Sequence, residues 1–304
     1  MSTLSHAASG VIPGEPPVRP EYEIDLKPFN HETNSQIVLE KKRSLAQRLW
    51  HIDGIRKTCI LLVLALVWEV VARVTDNDLL LPTFLQTFDA FVAGIANGEL
   101  LERVSVSLGV LLQGYALGIV LAFVLTTVAV STQLGRDILS TFTAMFNPLP
   151  AIALLPLALM WFGLGNGSLI FVLVHSVLWP LALNTFSGFQ GVPATLRMAG
   201  RNYGLSGIGY VVHILVPAAL PSILSGLKVG WAFAWRTLIA AELVFGASSG
   251  EGGLGWYIFQ NRNELNTDKA FASLAMVIML GLLVEGLVFK TLERVTIRRW
   301  GIQH

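Results

Sequence analysis

The chain has 304 residues, of which 53% are hydrophobic and 13% are charged, against about 25% charged residues in ordinary soluble domains. This composition indicates a membrane protein, and a net charge of +1 excludes the broad positive field that holds nucleic acid. The single cysteine, Cys59, excludes an intrachain disulfide and a cysteine metal cluster.

The N-terminal tail, residues 1–57, differs in composition from the rest of the chain. It holds 8 of the 21 basic and 7 of the 20 acidic residues, together with prolines at positions 13, 16, 17 and 20. Such a segment buries too little apolar surface to offset its chain entropy. We therefore predict a largely disordered tail over residues 1–57 and a transmembrane domain over residues 58–304.

Six long apolar segments follow the tail, and a hydrocarbon core about 30 Å thick requires about 20 helical residues for each crossing. Helices are the only open structures that satisfy their own backbone hydrogen bonds in lipid, so the predicted fold is all-α with six transmembrane helices. Pro148, Pro150 and Pro156 divide the third segment. The predicted spans are residues 58–75, 104–131, 137–162, 168–187, 209–246 and 269–290.

Basic residues flank both ends of this set of spans. Because loops rich in lysine and arginine stay inside, both termini are predicted to be cytoplasmic. Alternation then places the connection of residues 188–208 inside and that of residues 247–268 outside. The flanking residues are Lys41, Lys42, Arg43, Arg48, Arg56 and Lys57 before the first span, and Lys290, Arg294, Arg298 and Arg299 after the last.

The inner connection has the signals of a short helix lying across the cytoplasmic face. Pro193 suits a helix start and Gly204 a C-terminal stop, and Pro217 with Pro221 would open the next spanning helix. The alternative is an ordinary linker between two spans.

The spacing from Met198 to Pro217 resembles the cytoplasmic signature of ABC-importer permeases, which is a Glu-Ala-Ala triplet, a glycine four residues later and then Ile-x-Leu-Pro. Met198 stands in place of the acid and Gly200 in place of the second alanine, while Gly204, Ile214 and Pro217 match. The resemblance implies that residues 191–206 form a coupling helix docked in a groove of the ATP-hydrolysing subunit. The residues implied at that contact are Met198, Ala199, Gly200, Arg201, Tyr203 and Gly204.

Further stretches are similar to the nitrate, sulfonate and taurine branch of these permeases, and the resemblance covers about residues 58–300. It implies a type I importer fold, a small and mostly anionic solute, and a place in the bacterial inner membrane. The stretches are Pro148-Leu149-Pro150, Leu155 to Gly165, Asn184-Thr185, Ala240-Ala241-Glu242 and Gly253-Leu254-Gly255.

The resemblance also implies the partners of the chain. These are a second permease copy in a homodimer, two ATPase subunits and a periplasmic or lipid-anchored solute-binding protein. ATP and Mg²⁺ would bind to the ATPase subunits, and no cofactor is expected on this chain.

Missing motifs agree with a non-enzymatic role. The chain contains no Gly-x-x-x-x-Gly-Lys-Ser/Thr motif, so any ATP chemistry must come from a partner. The six histidines do not lie at metal-ligand spacings with carboxylates, and we predict no metal site and no catalytic residue. An ion-coupled secondary transporter, with Glu242 or Glu285 as proton carrier, remains an alternative.

Five charged residues are the candidates for burial within the predicted spans, where each would cost roughly 2.5 to 3.5 kcal/mol at the bilayer centre on insertion scales. Such side chains should face protein or water, and we expect Glu69 and Glu285 to form structural pairs. The five are Glu69, Lys228, Arg236, Glu242 and Glu285.

The fifth span holds the candidate pathway residues. Arg236 and Glu242 lie six residues apart, so their side chains point about 120° apart on a helix and cannot form a direct ion pair. In the resembled family this helix lines the translocation path. That implies Arg236 as an attraction point for an anion, with Trp231, Trp235 and Thr237 as neighbours and Glu242 further along. The alternative leaves Arg236 bonded to carbonyls of another helix and Glu242 holding an outer gate or turn.

Two small-residue motifs predict close helix contacts. Gly114 and Gly118 form one Gly-x-x-x-Gly, and Gly226 and Gly230 form the other. We favour packing within the chain over a dimer seam for both.

Overall fold

The computed structural model describes residues 53–245 and 252–298, and within these ranges all regular secondary structure is helical. Nearly all of the predicted N-terminal tail lies outside the described residues, so that part of the domain division stays a prediction. The helices are α1 (Asp53–Thr75), α2 (Phe84–Ala96), α3 (Glu99–Ser131), α4 (Gln133–Phe146), α5 (Leu155–Phe162), α6 (Asn166–Gln190), α7 (Ala194–Asn202), α8 (Gly207–Tyr210), α9 (Val216–Ala218), α10 (Leu220–Phe245), α11 (Leu254–Asn263), α12 (Thr267–Leu283) and α13 (Lys290–Glu293).

Several helices are joined by tighter or wider turns without a loop. A 3₁₀ turn, Ala151–Leu154, precedes α5, and a π-helical turn, Val211–Leu215, joins α8 to α9. Two more π-helical turns, Val284–Phe289 and Arg294–Arg298, flank α13 and continue the line of α12.

Helix length and composition confirm the predicted number of spans. Four segments of the described chain are long and apolar enough to cross a membrane, namely Gly54–Thr75, Glu99–Ser131, Asn166–Gln190 and Thr267–Thr296. Two further crossings are bent pairs, Gln133–Phe146 with Ala151–Phe162 and Gly207–Ala218 with Leu220–Val244. Counting each pair as one span gives six.

Proline explains both bends. The third span turns by 90° after Phe146, where Pro148 and Pro150 lack the amide hydrogen that would continue the helical ladder. The fifth span turns by 81° around residue 219, between Pro217 and Pro221. The first break was predicted from the proline cluster, whereas the predicted fifth span of residues 209–246 was drawn as one continuous segment and is in fact bent.

A short helix that hydropathy did not predict, α2, lies between the first two spans. Thr83 begins it with a reciprocal cap, in which its hydroxyl accepts from the Gln86 amide at 3.2 Å and the Gln86 side chain accepts from the Thr83 amide at 2.8 Å. The second span, α3, also begins earlier than predicted, at Glu99, because Glu99 and Glu102 favour the first turn of a helix.

Helix α6 packs between α3 and α10 through glycines. A Cβ on Gly114 would lie 2.6 Å from Leu173 Cβ, and one on Gly118 would lie 2.8 Å from Val177 Cβ. On the other side of α6, Gly230 contacts the same Val177, while Gly226 contacts Leu181 and Asn184. The preference for packing within the chain is therefore confirmed for both glycine motifs.

Candidate functional site

The predicted coupling segment forms the short helix α7, which ends in a glycine-dependent turn. Gly204 has φ +75°, a conformation that favours glycine. The amide of Gly204 donates to the Arg201 carbonyl at 2.9 Å, and the amide of Leu205 donates to the Gly200 carbonyl at 3.1 Å. This pair of bonds is the Schellman motif, and it fixes where α7 stops.

The inward side of α7 is tied to two neighbouring elements. Gly200 is buried, and a Cβ there would lie 2.8 Å from Ile214 Cγ1 on the π-helical turn that leads into the fifth span. Arg197 donates from Nε to the Val192 carbonyl at 3.0 Å and from Nη2 to the carbonyls of Phe189 and Gln190 at the end of α6. Sequence reasoning missed Arg197, although a basic residue close behind a helix C-terminus is a recognised signal.

The outward side of α7 is exposed. Met198 is 59% exposed and Tyr203 is 86% exposed, and Ala199, Arg201 and Gly204 are also in the exposed class. Of the six predicted coupling residues, only Gly200 therefore faces the rest of the protein. Such a short amphipathic helix with an exposed apolar face has the form used in helix-in-groove recognition.

A cavity of about 390 Å³ lies between the bend of the third span, α6 and α10. Its polar lining consists of Asn147 at the bend, His175 and Ser176 on α6, and Arg236 and Thr237 on α10. The hydroxyl oxygens of Ser176 and Thr237 lie 3.0 Å apart and are hydrogen-bonded. The bend thus opens a polar space within otherwise apolar spans.

Arg236 is the cationic group of this cavity. Its Nε donates to the Ala232 carbonyl of its own helix at 3.1 Å, and its guanidinium carbon lies 5.1 Å from the centroid of the Phe233 ring. Within the part of the chain that the structure describes, no carboxylate forms an ion pair with it. Since the side chain is also exposed, its guanidinium is available to bind an anion.

The other predicted pathway residues do not all gather at this cavity. Trp231 and Trp235 line a second cavity of about 360 Å³ on another side of α10, and Arg236 borders both cavities. Trp235 donates from Nε1 to the Val277 carbonyl of α12 at 3.3 Å. The structure therefore places Thr237 with Arg236 in one cavity and the two tryptophans with Arg236 in the other.

Glu242 is buried, with 3% exposure, near the C-terminal end of α10. The Ser107 hydroxyl of α3 lies 2.9 Å from both carboxylate oxygens, and the Gly255 amide donates to Oε2 at 2.8 Å. The Ser107 oxygen in turn accepts from the Leu254 amide at 2.9 Å. This geometry corresponds to the alternative in which Glu242 holds a turn.

The turn beside Glu242 can be formed only by very small residues. A Cβ on Gly253 would lie 2.2 Å from Ser107 Oγ, and one on Gly255 would lie 2.6 Å from Glu242 Cβ. Arg103 closes the turn from α3 by donating to the Gly252 carbonyl at 2.9 Å. Ser107 and Arg103 were not identified from the sequence, where nothing marks their proximity to residues almost 150 positions later.

The other three of the five candidate charges, Glu69, Lys228 and Glu285, form ion pairs, as expected for Glu69 and Glu285. Arg73 Nη2 lies 2.7 Å from Glu69 Oε1 within α1. Lys228 Nζ lies 3.0 Å from Glu285 Oε1, which joins α10 to the last span. Among the described residues, no group of three or more His, Cys, Asp or Glu side chains could hold a metal ion.

Six apolar crossings, an exposed short helix between the fourth and the fifth, and a polar cavity at a broken span define a multi-pass membrane permease. A family model described as "Binding-protein-dependent transport system inner membrane component" matches residues 114–296. The chain belongs to this family, which confirms the predicted all-α fold of a type I ABC importer permease.

Relatives of known name agree with this assignment. A putative aliphatic sulfonates transport permease protein of Escherichia coli is 30% identical over 76% of this chain and 87% of its own length. The taurine transport system permease protein of Escherichia coli is 29% identical over 77% and 86%. The nitrate import permease protein of a Synechocystis strain is 28% identical over 81% and 90%.

Family membership decides between the two transport hypotheses. The chain is the permease subunit of an ABC importer, and the alternative of an ion-coupled secondary transporter is not supported. In this family the ATPase activity belongs to a separate subunit, so ATPase and solute-binding partners are implied.

Proposed function

We propose that this chain is the permease of an importer for a small anion, such as nitrate, a sulfonate, taurine or a similar organic anion. The observation that carries the proposal is Arg236, a cation in the fifth span that borders a polar cavity and has no carboxylate partner among the described residues. The names of the relatives support the same solute class.

The proposed assembly contains two copies of this chain, two ATPase subunits and a periplasmic or lipid-anchored solute-binding protein. It lies in the bacterial inner membrane with both termini of this chain in the cytoplasm, in keeping with the basic residues at both ends. ATP and Mg²⁺ bind to the ATPase subunits. This chain binds no cofactor and catalyses no reaction, and it alternates access when the ATPases bind and hydrolyse ATP.

Helix α7 is proposed to dock on the ATPase through its exposed side, with Met198 and Tyr203 as apolar contacts and Arg201 as a polar one. The family places an acidic residue at position 198, and a methionine offers a flexible apolar contact in its stead. Gly200 acts from the inward side, by letting α7 lie against Ile214.

The solute path is proposed to pass Arg236 and Thr237, with Trp231 and Trp235 beside it. An anion at Arg236 would meet the Thr237 hydroxyl as a donor, while the Ser176 hydroxyl of the same cavity donates to Thr237. Glu242 is proposed to act indirectly, by fixing the outer turn next to the path, because its oxygens are occupied by Ser107 and Gly255.

The test uses the whole importer in proteoliposomes, with the ATPase, the binding protein and labelled nitrate, taurine or methanesulfonate. Arg236→Gln keeps hydrogen-bonding capacity but removes charge, and a hydrogen bond to a charged group contributes about 1.5–3 kcal/mol, so uptake should fall about tenfold or more. The basal ATPase activity should be retained.

The matched control is Arg73→Gln, which removes an exposed arginine of the first span whose ion pair to Glu69 is local to α1. It should leave uptake close to that of the unmodified importer. Unchanged uptake in an assembled Arg236→Gln importer would contradict the pathway proposal.

A further inference from the structure

The second cavity borders a charge pair between two of the membrane-spanning helices. It lies between α10 and the last span and has a volume of about 360 Å³. Lys228 and Glu285 line it and face each other at 3.0 Å, with 41% of the Lys228 side chain and 58% of the Glu285 side chain exposed. We call this space the inner groove, and its remaining lining includes Trp231, Trp235 and Arg236.

The exposure of the Lys228 and Glu285 side chains requires an explanation. A charged side chain in a hydrocarbon core costs about 2.5–3.5 kcal/mol on insertion scales unless it meets water, protein or a partner charge. Lys228 and Glu285 satisfy each other only in part, since each keeps about half of its side chain accessible. The cost of burying these charges favours water beside the ion pair, although apolar side chains such as Val277, Ile278 and Leu282 make up much of the remaining lining.

The inner groove has an excess of positive charge. Two cations, Lys228 and Arg236, line it together with one carboxylate, Glu285. The ion pair neutralises Lys228, but Arg236 has no ion-pair partner among the described residues. A small anion entering the groove would be attracted by this field, which a low-dielectric wall concentrates.

The two cations also follow one another along α10. Eight residues separate them, which corresponds to about 12 Å of rise and about 80° of rotation. Arg236 borders the polar cavity as well as the inner groove. Lys228, nearer the predicted cytoplasmic end, lines the groove but not the polar cavity, so an anion that leaves Arg236 toward the cytoplasm would meet Lys228 next.

We propose that Lys228 forms a second anion-binding site on the path, and that Glu285 is the counter-charge that keeps this site weak. The ligand is a small oxyanion, and the proposal rests on the proposed function in that it places this site after Arg236. Passage through several sites requires each to bind well enough for entry and weakly enough for release. Glu285 meets the second requirement by competing with the anion for the Lys228 ammonium group.

The proposal predicts opposite effects for the two partners of the ion pair. Lys228→Gln removes the cation, so anions should enter the groove less. Glu285→Gln frees the cation, so anions should enter more and leave more slowly. A pair that only stabilised the fold would respond to both substitutions in the same direction.

The two tryptophans of the inner groove report on anion entry directly. The experiment measures quenching of tryptophan fluorescence by iodide in the assembled importer in nanodiscs, at constant ionic strength, with neutral acrylamide as the parallel quencher. The chain has 8 tryptophans, and the difference between the unmodified importer and a Trp231→Phe/Trp235→Phe variant gives the fluorescence of the two in the groove. Competition by nitrate shows whether iodide and an oxyanion share the site.

In Lys228→Gln, which lowers the local positive charge, we expect the constant for iodide quenching of the groove tryptophans to fall at least about twofold. In Glu285→Gln, which raises the local positive charge, we expect the same constant to rise by a similar factor. Acrylamide quenching should stay constant, and nitrate should protect the signal. In uptake assays, Glu285→Gln should lower both KM and kcat, whereas Lys228→Gln should raise KM.

Three results would overturn the proposal. The tryptophans could be quenched by brominated phospholipid and not by iodide, which would make the groove a lipid surface. They could resist both quenchers, which would mean that another subunit fills the groove. Both variants could also shift iodide quenching in the same direction. Because iodide entry needs no transport, a failure here is distinguishable from a failure of Arg236→Gln to impair uptake.

Discussion

The two ends of the fifth span are fixed in different ways. At one end, α7 is held by backbone carbonyls that accept from Arg197 and by a glycine contact, and its other side stays exposed. At the other end, the turn around Gly253 is held by buried side chains, Glu242 and Ser107. The end that is proposed to meet a partner thus keeps an exposed side, whereas the polar groups at the other end are bonded within the chain.

The largest expected effect is a difference in cysteine labelling, because the two ends of the fifth span are predicted to lie on opposite sides of the membrane. With Cys59 replaced by serine, Asn263→Cys at the end of α11 should react with a membrane-impermeant maleimide in intact cells, and Asn202→Cys on α7 should not. Both positions are exposed, so a failure to react reports location. Labelling after permeabilisation is the control for Asn202→Cys, and the reverse pattern would refute the predicted topology.

The next effect concerns stability at the buried end. Glu242→Ala would leave the Ser107 hydroxyl and the Gly255 amide without their acceptor, and we expect a loss of about 2–5 kcal/mol. The melting temperature of the purified protein in detergent should fall clearly for Glu242→Ala and less for Glu242→Gln. Glu264→Ala removes an exposed carboxylate beyond α11 and should have little effect. Equal melting temperatures for all three variants would argue against a supporting network.

The smallest effect is expected at the exposed end, and it should appear in coupling more than in stability. Arg197→Gln removes bonds that tie α7 to the end of α6, so the amount of solute imported per ATP hydrolysed should fall several-fold. Arg201→Gln removes the charge of the proposed polar contact on the exposed side of the same helix but leaves its bonds to α6 intact, and its effect should be smaller. If Arg201→Gln reduced the solute imported per ATP more than Arg197→Gln did, the bonds between α7 and α6 would contribute less to coupling than the exposed surface of α7.

Much of the fold could be predicted from hydropathy and proline positions. Long apolar runs give the six spans because the bilayer sets their length, and Pro148 and Pro150 mark the first bend. The short helix α2 was not predicted because its capping residues, Thr83 and Gln86, lie in a connection rather than in an apolar run. The 81° bend of the fifth span was not predicted either. Proline is tolerated in the first turn of a helix as well as at a break, so Pro217 and Pro221 alone do not distinguish the two.

The candidate site was predictable where it is local in sequence. The spacing from Gly200 to Gly204 describes one helix and its cap, and the structure has that helix. Contacts across the chain were not predictable: Ser107 meets Glu242 from another span, and Trp235 turns toward Val277 of α12. Helical rotation gives the angle between Arg236 and Trp235, but only the packing of neighbouring helices decides which cavity each borders.

The two ties of α7 have a mechanical consequence. Arg197 connects this helix to the end of α6, and Gly200 presses it against the turn that enters the fifth span. Because α7 is held at two points, it cannot tilt without moving the two segments that it contacts. We therefore expect a displacement of α7 to move the end of α6 together with the segment that enters the fifth span, and the helices of these two spans carry the hydrogen-bonded Ser176 and Thr237 of the polar cavity.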